Sequence, residues 1–598
     1  MKLLLKYIVL GLFLLLAPNP LSAYNNSWSS HEDVTKPCPG PGCDEKCKNK
    51  CGCNADGSPK PCECEPSPTV CCVDLGGNGN GGGGNGDDKG SPVYLKSGFF
   101  TWSDTDISLI AKPSLKLTRD YTAFDPHLGL FGNSWISGFE RLFIKSVKYS
   151  KDNLDIRSSE TFYILRQSDS SRFYYKYDEQ NNAFIDMGKL QLIANKIDEH
   201  TTTLTYQNGM VETYTDGYLT QREDRNGNKL ILTYDDTKLL QEAKSGNATL
   251  TFTYNSNGFV SQVTDQAGRS WLYSYDENGN LIEVTDPAGG TRTYTYTSYK
   301  QDFDAYVAYL ITDITDAEGK SIIHVNYDSQ GRVSSYTEGS LTYTYNYQNA
   351  NTVSKTDNNG HTITYTLSNN GYITKVTDPN NAAVEDIYDE NNRTSTRIDA
   401  NGNRWVKQFD EMGRTIASID PLGNKTTYTY EGSNTKPSTI TTPLGHTTTI
   451  TYDSNNNPLT ITDANGNTQS FKYDSKGNAT EITDAKGNKT TIAYNANNQP
   501  TSITNALGYT TTITYDDLGR QASITDAEGR TTTYEYDAMD RITKTTDAIG
   551  NEVTYTYDKA GRLTSLKDPV GNETKYTYDD YGRVSSETRP DGGVTTYA

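Results

Sequence analysis

"YDKAGRLTSLKDPVGNETKYTYDDYGR", Tyr557 to Arg583, contains the phrase Tyr-Asp-x-x-Gly-Arg twice, at Tyr557 and Tyr578, 21 residues apart. Around it, Tyr or Phe recurs at 388, 409, 430, 452, 473, 494, 515, 536, 557 and 578, in steps of 21 with one of 22. A second Asp-x-x-Gly phrase lies between, as at Asp463, Asp484, Asp526, Asp547 and Asp568. Two turns per unit leave two short strands. In "EVTYTYD", Val553, Tyr555 and Tyr557 fall on one face and Thr554 and Thr556 on the other, the period of a strand. In "RLTSLKD", simple alternation places Leu563 with Ser565 and Thr564 with Leu566. An Asp carboxylate accepts the N–H two residues on, and Gly supplies the positive φ of a tight reversal. The unit therefore reads strand, turn, strand, turn: an all-β antiparallel meander. Its turn-forming residues are Tyr515, Asp516, Gly519, Arg520, Asp526, Gly529, Tyr557, Asp558, Gly561, Arg562, Asp568, Gly571, Tyr578, Asp579, Gly582 and Arg583.

A ladder of carboxylates also has the chemistry of a calcium column, and "DANGN" at Asp399 and Asp463 has oxygen-ligand spacing. Asn505 and Thr442 replace Asp in otherwise ordinary units. Both retain a local turn bond and neither carries charge, so the Asp positions are read as structural and no metal or cofactor is expected. The Arg after each Gly (Arg332, Arg414, Arg520, Arg562, Arg583) either grips an anion, or lies across a Tyr or pairs with a turn Asp for about 0.5–1 kcal/mol. Rows of Tyr suit a glycan-binding platform, and they equally suit cross-strand packing, the reading preferred here. The six His residues (31, 127, 200, 324, 361, 446) are scattered, and neither H-E-x-x-H nor G-x-S-x-G occurs. The expectation is a protein that is not an enzyme.

Hydrophobic residues make up 34% of the 598, with 44 Tyr against 15 Phe, which suits half-buried sheet faces better than a thick core. The formal charge of -20, with no basic block, excludes nucleic acid as the expected partner. Residues 1–23 read as a secretory signal peptide, a charged start and an apolar run ending in Leu21-Ser22-Ala23, with no Cys following to carry a lipid. No later transmembrane stretch is found, so the chain is expected to be secreted, periplasmic or held at the cell surface. Residues 24–75 hold all nine cysteines: Cys38, Cys43, Cys47, Cys51, Cys53, Cys62, Cys64, Cys71 and Cys72. In an exported chain these read as disulfides, with thiolate metal binding the alternative. Residues 76–91 are a Gly/Asn-rich linker.

Residues 92–223 read as a smaller, non-repeating β domain, and 224–598 as the repeat region, ending within a repeat. The earlier units are looser. A step of 31 separates Tyr296 from Tyr327, where a bulge or protruding loop is expected, and the unit around Tyr347 lacks its Asp. "YDDLGR" (515 to 520), "YDKAGR" (557 to 562) and "YDDYGR" (578 to 583), alternating with "TDAEGRTTTYEYD", resemble the YD repeats of the Rhs family. That family comprises bacterial Rhs proteins, wall-associated toxins, shell components of insecticidal toxin complexes, and teneurins. Residues 92–135 resemble the domain that often precedes the repeats.

The resemblance implies a β-ribbon wound into a hollow shell, often around a C-terminal toxin. The family's core-closing Pro-x-x-x-x-Asp-Pro-x-Gly-Leu signature is absent here, so neither self-cleavage nor a toxin is carried over. An open twisted sheet rarely exceeds about ten strands without curling, which independently requires the ribbon to curve. The expected function is that of an exported non-enzymatic scaffold forming all or part of a β-shell in a polymorphic-toxin or surface-interaction system. A protein partner or a further C-terminal segment would complete it. The alternative is a surface adhesin binding glycans or another cell's protein through Tyr and Arg. The last strand, if unpaired, is expected to promote self-association.

Overall fold

The computed structural model describes residues 92–125, 128–148, 160–166, 172–178, 183–186, 192–300 and 307–597. The signal peptide, the nine cysteines and the linker lie outside these. Every element among the described residues is a strand, and none is a helix long and apolar enough to cross a membrane.

Short Thr- and Tyr-rich segments of five or six residues cannot bury a face alone, so each pairs with its sequence neighbours. From Ile193–Lys196 to Val594–Thr596 they form one antiparallel ladder in strict sequence order, part of a 43-stranded sheet. Connecting loops therefore alternate between the two edges. Loops that follow the repeat Tyr, such as 558–561, form one edge, here the YD edge. The Asp-x-x-Gly loops between them, such as 568–571, form the other, the TD edge.

The second strand of most units departs from the simple alternation. Tyr555 opposes Leu566, Thr556 opposes Ser565, and Tyr557 opposes Leu563, which leaves Thr564 as an extra residue. This is a β-bulge. Directly opposed residues share a face, so Leu563 and Leu566 both lie on the side of Tyr555 and Tyr557. The sequence pattern set them on opposite faces because a bulge inserts one residue into a period of two. The same shift recurs beside Tyr515 and Tyr578.

The ladder runs without a break through residue 223, where the sequence pattern starts the repeat region. Strand Leu142–Lys148 pairs with Tyr218–Glu223 through Leu142 and Tyr218, and carries the strands Glu160–Arg166, Arg172–Asp178 and Ala183–Asp186 beside it. Before it, Thr101–Leu109, Leu115–Thr122 and Trp135–Ser137 form a separate three-stranded sheet. That sheet and its loops pack on the repeats between about 230 and 367. Trp135, Tyr121, Phe131 and Leu117 are fully buried in one cluster with Tyr294, Leu310, Val333 and Tyr336. The apolar face of the later repeats is mostly half-buried, with Ile492, Ile513 and Ile542 buried outright.

The 31-residue step is a long hairpin, Thr291–Lys300 against Val307–Thr315, whose tip lies outside the described residues. Around Tyr347 the hairpin tightens instead, with Asn349 opposite Thr352.

The ribbon returns on itself. Arg225 reaches Asn457, Asn457 reaches Asn226, Arg269 reaches Ala538 and Asp540, and Lys320 reaches the Asp579 carbonyl, across separations of 231 to 271 residues. In each case a TD-edge loop of an early unit sits on a YD-edge loop of a later one. Successive windings thus meet through polar loop side chains, a seam of exchanged hydrogen bonds and ion pairs.

Candidate functional site

Each turn is closed by its own backbone and one carboxylate. In the loop after Tyr557, the Asp558 N–H donates to the Arg562 carbonyl (2.9 Å) and the Gly561 N–H to the Asp558 carbonyl (3.0 Å). Gly561 has φ +85°, a conformation that costs most residues dearly. Asp558 Oδ1 accepts the Arg562 N–H at 2.8 Å, and Oδ2 accepts Arg562 Nε at 2.6 Å. Asp516 with Arg520 and Asp579 with Arg583 repeat the arrangement, Gly519 and Gly582 taking the place of Gly561. In the TD-edge loops, Asp568 Oδ1 accepts the N–H of Val570 and of Asn572, and Oδ2 accepts Asn572 Nδ2, with Gly571 at the reversal. Asp526 does the same with Glu528 and Arg530, beside Gly529. Asn505 keeps both backbone bonds with its amide oxygen, to Leu507 and Tyr509, and the Thr442 loop closes through its backbone pair.

The same Arg serves a second purpose. Arg520 lies 4.7 Å from the Tyr536 ring, Arg541 4.9 Å from Tyr557, and Arg562 4.9 Å from Tyr578. Each Arg thus ties its own turn to the aromatic ring of the next unit. Arg583 lies over Tyr581 instead, with 61% of its side chain exposed. Each Tyr hydroxyl in turn donates back to a main-chain carbonyl 15 residues earlier: Tyr515 to Pro500, Tyr557 to Ile542, Tyr578 to Leu563, all at 2.7–2.8 Å. That bond accounts for Tyr rather than Phe at the position.

Sequence reasoning passed over Arg393 and Arg541, because their loops lack Gly. Asn392 and Asp540 adopt the positive φ there, 59° and 62°, and both Arg residues pair with Asp and stack on a ring as the others do. The enrichment of Asn and Asp in left-handed conformations was the available signal.

The TD-edge carboxylates Asp463, Asp484, Asp526, Asp547 and Asp568 are held below the ordinary value of 3.8. For Asp568, Asp547, Asp463 and Asp484 the first cause is the bond from the Asn side chain; for Asp526 it is the Arg530 N–H. A depressed folded value contributes stability that is present above the unfolded value and lost as pH falls through the folded one. The thermal midpoint should therefore hold from pH 7 to about 5 and drop steadily below pH 4; a midpoint flat to pH 2 would show that the turns do not need charge. At a single site, Asp558→Ala should cost about 1–2 kcal/mol in urea unfolding and Asp558→Asn clearly less, since an amide oxygen still accepts the N–H.

Two buried networks lie outside the repeat pattern. Arg119, fully buried, donates Nε to Asp106 Oδ2 (2.6 Å) and Nη2 to Asp106 Oδ1 (2.8 Å) and to the Tyr294 hydroxyl (3.1 Å). Arg292 pairs with Asp104 in the same cluster, Tyr273 donates to Asp106, and the Trp135 ring lies 4.8 Å from Arg119. Burial would push the Asp104 carboxyl up, and Arg292 and Arg119 more than offset it. The second network centres on Glu212, which accepts from Arg141, Arg222, Tyr206 and Tyr214 at 2.6–3.0 Å. Both fasten the N-terminal region to the ribbon.

Among the described residues, little else gathers reactive groups. Glu338 is pushed up to about 7 by burial, with Lys355 pulling it down. His200, His324 and His361 each meet one carboxylate at exposed sites, Asp216, Asp313 and Asp357. Asp276, in a cleft with Tyr294, Tyr296 and Tyr309, already accepts the N–H groups of Asn278 and Asn280. Among the described residues, no group of three His, Cys, Asp or Glu is placed to hold a metal ion.

Comparison with known proteins gives two family matches. A teneurin YD-shell family model matches residues 462–598, and an RHS repeat model matches 254–291, 275–299 and 433–468. No curated protein matches at a significant level. Among solved structures, the Photorhabdus luminescens Tc holotoxin pore with a mutant TccC3 is similar at 12% identity and a TM-score of 0.40, over 83% of this chain and 31% of that one. The TcdB2-TccC3 complex is similar at 13% identity and a TM-score of 0.30, over 83% of this chain and 36% of that one. The chain thus spans about a third of the length of these structures.

Proposed function

We propose, from the premise that the chain belongs to the Rhs/YD-repeat family, that it is an exported, non-enzymatic wall of a toxin-associated β-shell, facing a protein partner with the apolar side of its later repeats. One observation carries this reading. The polar groups that recur every 21 residues are bonded within or between units, Asp to its turn, Arg to Asp and the next ring, and Tyr to a main-chain carbonyl. A repeat whose chemistry is used up in building a wall is suited to enclosing or supporting another polypeptide. The same bonds weigh against the glycan-platform reading, because they hold the Tyr hydroxyls that a sugar would compete for.

Site-specific photocrosslinking in the producing cell tests it. Ile524 opposes Ile513 on the apolar face, and Thr514 is exposed on the other. A photoreactive residue at 524 should capture one defined polypeptide that the same residue at 514 does not. Capture from 514 alone, or glycan binding abolished by Tyr→Phe changes in a folded protein, would overturn the proposal. Export itself predicts a mature N-terminus at Tyr24, read by N-terminal sequencing of the exported protein.

A further inference from the structure

The loop between the strands Thr101–Leu109 and Leu115–Thr122 reaches across to a late YD-edge loop. It is anchored on the ribbon by the Ser245 hydroxyl, which donates to the Pro113 carbonyl at 2.5 Å. Beside that anchor, Lys112 Nζ donates to the Lys476 carbonyl at 2.9 Å and, across 366 residues of sequence, to Asn478 Oδ1 at 3.0 Å. Both acceptors are neutral. Asn478 is buried, and its carboxamide is fixed from the other side as well: Nδ2 donates to Asp474 Oδ2 at 2.9 Å and to Asn498 Oδ1 at 2.8 Å. An amine, a carboxamide and a carboxylate thus meet at one point, the amine on the amide oxygen and the carboxylate on the amide nitrogen.

These are the groups that an amide exchange needs. A Lys becomes a nucleophile once it is neutral, and burial or a neighbouring cation favours its neutral form. Burial draws Lys112 below its usual range and Arg225 adds to the effect, while Asp224 and Asp474 pull the other way. Burial works against the charge of Asp474, and the main-chain N–H and side chain of Asn478 more than offset it, so this carboxylate stays ionised and can take a proton. A second Lys–Asn contact lacks the third group. Lys96 Nζ donates to Asn351 Oδ1 at 2.6 Å, but Lys96 is exposed and Asn351 Nδ2 donates to the Asn369 side chain.

From this juxtaposition we infer that Lys112 and Asn478 join in an isopeptide bond, which staples the N-terminal sheet to a later winding of the ribbon. A turn of the Lys112 side chain out of the amide plane brings Nζ from Oδ1 onto Cγ, where the held carboxamide is already oriented. The Nζ–Cγ bond forms and the Cγ–Nδ2 bond breaks. Asp474 Oδ2 takes a proton from Nζ and passes it to Nδ2, which leaves as ammonia, so the carboxylate ends as it began. The proton that the Lys112 ammonium sheds beforehand is taken up by the released ammonia, and neither oxidant nor cofactor is consumed. Closing so long a loop restricts the unfolded chain and keeps the winding from springing open. The inference is independent of what the apolar face of the repeats binds.

Mass spectrometry of the full exported chain, fully reduced, tests it. The intact mass should lie one ammonia below that of the unlinked sequence, and a protease digest should contain a branched peptide joining residues 112 and 478, with none joining 96 and 351. Lys112→Arg should restore the unlinked mass and slow the chain on a reducing denaturing gel, because the closed loop makes the wild type more compact. Asp474→Asn keeps an acceptor oxygen for the turn and removes the base. It should leave the circular dichroism unchanged and slow linkage about a hundredfold or more, followed by pulse labelling in the producing cell. A folded wild-type chain that carries its unlinked mass would overturn the inference and leave the contact a hydrogen bond. Linkage at the wild-type rate in Asp474→Asn, or equal linkage at Lys96 and Asn351, would overturn it too, since proximity alone would then account for the bond.

Discussion

Arg119→Met should destabilise the protein by about 3–5 kcal/mol, because it leaves Asp104 and Asp106 as buried charges deprived of a partner. Asp106 loses both of its guanidinium bonds and keeps only the Tyr273 hydroxyl, while Asp104 keeps Arg292 as its one cation beside the Tyr294 hydroxyl. The loss should appear first between residues 101 and 137, as accelerated hydrogen exchange and as cleavage by protease under conditions where the repeats stay protected. Adding Asp106→Asn to Arg119→Met should recover part of the stability, since it removes the stranded charge itself. A single substitution costing under about 1 kcal/mol would mean that water reaches the cluster and that apolar packing alone holds the N-terminal sheet on the repeats.

Glu212→Ala should have an effect of similar size, about 3–5 kcal/mol, at a different joint. Glu212 is fully buried on the strand Val211–Thr215, and two of its donors, Arg141 and Arg222, come from segments about 70 and 10 residues away in sequence. Burial works against its charge, and the two guanidinium groups hold it below the usual carboxylate range. Removing it strands both cations and frees the hydroxyls of Tyr206 and Tyr214. Glu212→Gln keeps acceptor oxygen for the hydroxyls and loses the charge, so it should fall between wild type and Ala. Urea unfolding provides the measurement, and the order wild type, Gln, Ala is the expected result. Equal stability of Gln and wild type would show that hydrogen bonding, not charge, secures the joint.

The repeat geometry was readable because its bonds are short in sequence. Asp558 to Arg562 spans four residues, and Tyr557 to Ile542 spans fifteen, within the 21-residue period. Any bond contained in one period is printed once per unit, and its recurrence exposes it. The exceptions were informative for the same reason: Asn505 in place of Asp showed that the turn needs an acceptor more than a charge. The faces of Leu563 and Leu566 were misassigned because a bulge shifts the register without altering the period, so repetition conceals it.

By itself, then, the sequence determined the all-β meander and its unit, and carried the resemblance to YD repeats, since these rest on local features repeated in register. Only the tertiary structure decided where the ribbon meets itself and what anchors its beginning. Arg269 meets Asp540 across 271 residues, and Arg119 meets Tyr294 across 175. Neither pair recurs, so no periodic signal announces it. The physical reason is that local geometry sets how each strand turns, whereas small twists summed over many strands set which distant loops come together, and that sum is legible only once the chain has folded.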